Sequence, residues 1–209
     1  MADVPAGSGL RQMKKERTRQ ELAAAALQLF EERGYEAVKV EDIAEVAQVS
    51  ERTFFRYFAT KEEALWPDLG ERMAELAAVL ACRPKDEPLL RSLRHAAVAS
   101  AETYQANRAE MLPRFRLLTQ TPALRGYLLE CLDAWEDVIA GAISKRLGAR
   151  RGDELRSRLL AAGLVATFRV AVITWVASEG RADLPHLAVR AIDSLAADLT
   201  AEEPGVTGG

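Results

Sequence analysis

The chain has 209 residues, of which 49% are hydrophobic and only 6% aromatic. That is enough apolar material for a buried core in one large or two small domains, and the abundance of Ala and Leu suits close-packed helices. A net charge of −3 excludes a generally basic binder of polyanions, so any attraction for phosphate must come from local placement.

In chain order, residues 1–9 are small and expected to lack fixed structure. The first helix is predicted from about Leu10 to Arg33, with Leu22, Ala25, Ala26, Leu29 and Phe30 on its inner face. Gly34 ends it, where a left-handed residue is needed. Arg11, Lys14, Lys15, Arg17 and Arg19 cluster at its start, opposed by Glu16. An ordinary solvated face is the plain reading of that cluster, and a phosphate-seeking face is the functional one.

Residues 38–65 are the stretch the rest serves. Val40, Ile43, Ala44 and Ala47 mark one face of a short helix. Gln48, Val49 and Ser50 break the pattern, and Ser50 is a good N-cap for the next helix. There Phe54 and Phe58 point inward, while Glu51, Arg52, Phe55 and Arg56 fall on the outer side. Two short helices joined by a tight turn, the second presenting groups for base edges, form a helix-turn-helix suited to the major groove. Arg52 can fork onto guanine, Glu51 can accept from cytosine, and Phe55 can touch a thymine methyl. The plainer alternative leaves Arg52 and Arg56 solvated and packs Phe55 internally. Thr60, with Glu63 in the capping-box position, is predicted to open a fourth helix reaching about Ala81, which Pro67 should disturb, unless Pro67 simply marks the first turn of a helix beginning at Trp66.

The elements Phe30–Gly34–Tyr35, Ile43–Ala44, Val49–Ser50, Thr53, Tyr57–Phe58 and Lys61–Glu62 together resemble the DNA-binding domain of the TetR family of bacterial transcriptional regulators. Lys39 stands where that family commonly has a capping Thr, and Gln48 where its turn usually has Gly. The resemblance implies that Ser50 caps the reading helix and that Thr53, Tyr57 and Lys61 grip phosphates. It also implies a nine-helix, all-α fold, with the DNA-binding domain at residues 16–76 and a helical ligand-binding and dimerisation domain at 77–202. TFFRYFATKEEAL and LLTQTPALRGYL are similar to the mycofactocin-type regulators within the family, which implies a long-chain acyl-coenzyme A as ligand.

Beyond a linker at Cys82–Glu87, Pro88 suits a first helical position before a fifth helix over Leu89–Gln105. A sixth covers Asn107–Leu118, with Pro113 as a bend. Thr121–Pro122 reads as a cap and first residue of a seventh, ending near Leu147. After a basic turn at Gly148–Gly152, Asp153 caps an eighth helix ending near Gly180. Asp183 opens a ninth through about Glu202, before a structureless tail. Trp66, Met73, Tyr104, Met111, Phe115, Trp135, Ile139 and Phe168 lie on several helices; each is core by default, but together they can enclose an apolar ligand. Arg114 or Arg116 could meet the phosphates of an acyl thioester, or both could equally be ordinary surface residues. Ala161, Ala162, Gly163 and Ala166 allow close approach of a second copy, with Leu187, Ile192, Leu195 and Leu199 beside them, so helices eight and nine are expected to make a homodimer, the plain alternative being that these faces are buried only within one chain.

Cys82 and Cys131 are too few for a disulfide framework or a metal site, and buried thiols in a reducing cytoplasm are expected. No secretion signal is evident. Leu159–Ala177 is long and apolar enough to span a membrane, but Arg169 near its middle is costly in lipid, and its Ala/Gly content suits a buried packing helix. His95 and His186 stand alone, and no phosphate loop or nucleophile elbow appears, so no catalytic residue, cofactor or metal is expected. The reading is a regulator that binds a double-stranded DNA operator, a repressor released by ligand. A small-molecule carrier or enzyme with a vestigial DNA-binding domain is the alternative.

Overall fold

The computed structural model describes residues 6–148 and 153–200, with side chains over 11–148 and 154–197, and all regular structure among them is helical. The expected turn beyond Gly148, the Asp153 cap and the tail from residue 201 lie outside the described residues, as do residues 1–5 of the expected flexible start. The chain divides into two compact units. One takes the residues up to Leu69 and Arg116–Leu128; the other takes Gly70–Phe115 and everything from Leu129.

In the first unit, α1 (Ala6–Arg33), α2 (Val40–Val46) and α3 (Glu51–Phe55) are followed by a tight 3₁₀ turn at Glu63–Leu65. α1 begins ahead of the predicted Leu10. Its expected inner face, Leu22, Ala25, Ala26, Leu29 and Phe30, is buried, and α1 packs on α2 and on the 63–65 turn. Phe30 meets Tyr35 with ring centroids 5.3 Å apart, and Phe54 meets Phe58 at 5.5 Å. Each such ring removed from water contributes about 1.5–3 kcal/mol, which lets helices this short persist.

The fourth helix does not start after Thr60. The Thr60 hydroxyl accepts from the Glu63 amide at 3.4 Å, but only the 3₁₀ turn follows. Trp66 leaves the helical region (φ −134°, ψ 66°) because Pro67 bars the residue before it from α geometry. α4 therefore runs Leu69–Ala81.

The second unit holds α4, α5 (Leu89–Ala106), α8 (Asp153–Ala177) and α9 (Leu184–Thr200), with most of α6 (Arg108–Gln120) and α7 (Arg125–Leu147). Pro88 is the cap rather than the first residue of α5. Thr121 makes no side-chain cap; Pro122–Leu124 is a 3₁₀ turn, and α7 follows it. At the other end, Asp183 Oδ1 accepts from the His186 amide at 2.9 Å and opens α9. α9 packs along α5 and α8, around a core that includes Leu76, Leu93, Ile139, Ile143, Leu164 and Ile192. Arg146 holds the α4–α5 linker, donating to the carbonyls of Pro84 at 2.5 Å and Glu87 at 2.7 Å. The Glu87 carboxyl accepts from Arg83 and Ser92, which together hold it down to about 2. Cys131 is buried, but Cys82 is exposed, contrary to expectation, because it lies just past the end of α4 at the entrance to this linker.

By length and composition alone α8 could cross a membrane. Its Leu164, Val165, Ala171, Val172 and Trp175 are buried in the protein, however, and Arg169 is exposed. It packs on α9 and α5 along one side.

Candidate nucleic-acid interface

The turn between α2 and α3 is built from backbone bonds that the sequence permits at some cost. The Val49 amide donates to the Ala44 carbonyl at 2.9 Å and the Gln48 amide to the Glu45 carbonyl at 3.0 Å, the paired pattern that closes a helix through a left-handed residue. That residue is Gln48, at φ 54°. The turn keeps the geometry Gly would favour, so Gln48 carries the strain, on the order of 1–2 kcal/mol for a side chain in this region. At the start of α2, Asp42 Oδ2 accepts from the Lys39 amide at 2.8 Å. A lysine ammonium has no lone pair, so the reciprocal bond of a full capping box is missing where a Thr would supply it.

Ser50 caps α3 as expected, its Oγ accepting from the Thr53 amide at 3.2 Å. Phe54 and Phe58 are buried, and this fixes which side of α3 faces out. Glu51, Arg52, Phe55 and Arg56 are exposed there, while Thr53 and Tyr57 are half-buried. Phe55 is 53% exposed, yet its ring stands edge-on to Phe54 at 5.6 Å, so one edge is held and the rest is free. The Arg56 guanidinium lies 5.2 Å from the Tyr57 ring centre.

Lys61 has an internal task that its sequence position does not reveal. Its Nζ donates to the carbonyls of Tyr35 at 2.9 Å and Val38 at 2.8 Å, and sits 4.0 Å from the Tyr35 ring centre. These bonds fasten the α1–α2 loop and take two of the three N–H groups of the ammonium. Beside it the Tyr35 hydroxyl donates to Glu62. Burial, then the Glu62 carboxylate, pushes the Tyr35 phenol up. Burial pushes the Glu62 carboxyl up as well, but the bonds it accepts, led by that from Tyr35, outweigh this and hold it below its ordinary value.

The second unit contains an open cleft of about 70 Å³ between α4 and α5, bordered by Trp135 of α7. Of the eight nominated ligand residues it uses Tyr104 and Trp135. Its other walls are Arg72, Glu75, Leu76 and Val79 on α4, and Ala96, Ala99, Ser100 and Thr103 on α5. Those positions repeat at i, i+3, i+4, i+7, and the α5 set is small side chains, a pattern that could have revealed a helix face kept back to leave space. Tyr104, Phe115, Phe168 and Trp175 instead form a chain of ring contacts at 5.2–6.4 Å. Met111 and Ile139 are fully buried, Met73 is half-buried, and Trp66 is buried in the first unit. Arg114, at 2% exposure, is bonded to Glu110 at 2.6 Å and cannot turn to an external phosphate without breaking that pair; Arg116 is exposed.

Residues 22–65 match the family described as bacterial regulatory proteins, tetR family, and residues 87–200 match the MftR C-terminal domain. The HTH-type transcriptional regulator TcmR of Streptomyces glaucescens is 35% identical over 208 residues, covering 95% of this chain and 92% of that protein. A Mycobacterium tuberculosis protein named as the mycofactocin biosynthesis transcriptional regulator MftR is 30% identical over 140 residues, covering 67% and 71%. Among solved structures, FadR of Thermus thermophilus, a TetR-family repressor in complex with lauroyl-CoA, superposes with a TM-score of 0.59 at 26% identity, covering 91% of this chain and 100% of that one. With a capped helix showing one polar face outward, an all-helical body and these matches over both parts, the chain belongs to the TetR family of bacterial transcriptional regulators and carries an MftR-type C-terminal domain.

Proposed function

We propose that this regulator is a homodimeric repressor whose α3 reads the major groove of its operator and whose body takes an apolar ligand that releases the DNA. The observation that carries the reading is the sidedness of α3, with Phe54 and Phe58 buried and Glu51, Arg52, Phe55 and Arg56 exposed. In this reading Arg52 and Glu51 meet base edges, and Phe55 and Arg56 extend the contact. Ser50, Thr53, Tyr57 and Lys61 meet phosphates. The support for pairing is a stripe on α8. Leu155, Leu159, Ala162, Ala166, Val170 and Ile173 fall within about 80° of one another on the helix. Leu155 and Leu159 are 68% and 64% exposed, and Leu195 of α9 lies near Gly163 beside them. Ala161 and Ile192, also nominated for the interface, are instead buried in their own body, and the Leu199 side chain lies outside the described residues. Pairing through α8 and α9 would set two α3 helices for half-sites ~34–36 Å apart. A protein acting on chromosomal DNA belongs in the cytoplasm.

The ligand reading rests on the α4–α5 pocket and on the lauroyl-CoA in the Thermus relative. Leu76, Val79, Ala96 and Trp135 offer an apolar wall, and Arg72, over the Tyr104 ring at 5.3 Å, offers a cation for an anionic group. The ligand releases DNA only if it favours the non-binding state, since equal affinity for both shifts nothing. The test begins with selection of duplexes from a random pool. The recovered duplex is then titrated with acyl-CoA of increasing chain length while Trp fluorescence and DNA binding are followed. Chain-length-dependent release, with weaker ligand binding in Ala99→Trp but unchanged DNA affinity, is expected. No duplex recovered would refute the regulator reading; release by polar or cationic compounds alone would refute the acyl one.

A further inference from the structure

α1 begins well ahead of residue 22, where the tetR-family match starts. Its early turns continue the helix face whose later residues, Leu22, Ala25, Ala26 and Leu29, are buried. At 3.6 residues per turn, Arg11, Lys14, Lys15 and Thr18 fall within about 100° of one another, on the side of Leu22 and Leu29. That face, packed further along, is half-buried at Thr18 and bare at Arg11, Lys14 and Lys15. The neighbouring cations are neutralised: Arg17 pairs with Glu21 at 2.7 Å and Arg19 with Glu16 at 3.3 Å. Residues 1–65 hold ten basic and twelve acidic side chains, and against that acidic balance Arg11, Lys14 and Lys15 form a cationic stripe roughly 6 Å long, separate from Arg52 and Arg56 on α3.

We propose that this part of α1 is an arm that grips the DNA phosphate backbone independently of sequence, through Arg11, Lys14 and Lys15. The proposal rests on the DNA-binding reading and adds to it contacts outside α3. A membrane surface would need an apolar face next to the charge. Here the exposed large apolar side chain of residues 11–20 is Met13, at 63%, on the opposite side of the helix.

The test compares wild type with Arg11→Gln/Lys14→Gln/Lys15→Gln, changes that keep helix propensity. Anisotropy of a labelled random-sequence duplex of about 40 base pairs, and of a selected duplex, is followed as KCl is raised. The slope of log Kobs against log salt should fall by about 2–3 per bound chain on both duplexes, with the ratio of their affinities and the melting temperature unchanged. An unchanged slope would overturn the arm while leaving α3 as reader. So would wild-type binding to phosphatidylserine vesicles that the variant loses while keeping its DNA slope. A wild type that binds neither duplex would overturn the DNA-binding reading together with the arm.

Discussion

The reading unit and the body solve the same problem, how to place side chains, by opposite means. In the first unit the decisive groups sit at the ends of short helices, where caps and turns orient them: Ser50 on the Thr53 amide, Gln48 in the left-handed turn, Lys61 on two loop carbonyls. In the body they sit on the faces of long helices, where only the neighbouring helix decides whether a residue is core, pocket or surface. Tyr104 and Ile139 look alike in sequence, both apolar positions on long helices, yet one lines the cleft while the other is sealed in the core. A local motif carries its own address; a helix face gets one from its neighbour.

That contrast can be broken most forcefully at Phe54. Phe54→Ala should cost the first unit ~3–5 kcal/mol, seen as a lower melting transition by circular dichroism with DNA binding lost. An unchanged melt would mean that the ring does not hold α3. On the body side, Ala166→Asp places a charge on a residue exposed in the single chain, so folding should survive. In a dimer closed over α8 the carboxylate would be buried without a partner, at a cost of ~2 kcal/mol or more per copy. Sedimentation should then show monomers, and a persistent dimer would place the interface elsewhere.

Arg52→Ala should weaken binding to a selected duplex by ~1–3 kcal/mol and relax preference at one base position, with stability unchanged. Retained specificity would move the reading face. Gln48→Gly should raise stability by ~1 kcal/mol by relieving the left-handed turn, measurable by urea unfolding. A loss instead would show that the Gln48 side chain makes up for its backbone.

The smallest effect concerns pH. Glu62 is depressed from an ordinary 4.5, so its bond contributes fully above that value and is lost as pH falls through the lowered pKa. Tyr35 is raised from an ordinary 10.0, so its share is full below 10.0 and is lost only as pH rises beyond it. The difference in melting temperature between wild type and Tyr35→Phe should therefore be flat from about pH 5 to 10 and shrink at the acid end. A difference that grew toward acid would exclude this bond as the cause.

The pattern at residues 30–62 was enough to foresee the helix-turn-helix, the inward Phe54 and Phe58, and the family, because each signal there is local: a glycine stop, a serine cap, two rings four residues apart. Around Trp66 two local signals compete, the cap at Thr60 and the constraint Pro67 places on its predecessor, and only the structure shows the second to prevail, with α4 starting at Leu69. Local signals also could not separate the two roles open to Lys61, since the carbonyls that hold it lie more than twenty residues upstream.

The helical class, the capped α3 and its outward face were legible in the sequence, for these follow from periodicity and from groups within a turn of one another. Tertiary structure alone decided that Arg114 is buried against Glu110, and that Leu155 and Leu159 stand bare on α8 while Ala161 does not. Burial is a property of what lies opposite a residue, and in long alanine- and leucine-rich helices nearly every face is apolar enough to be the one that is covered.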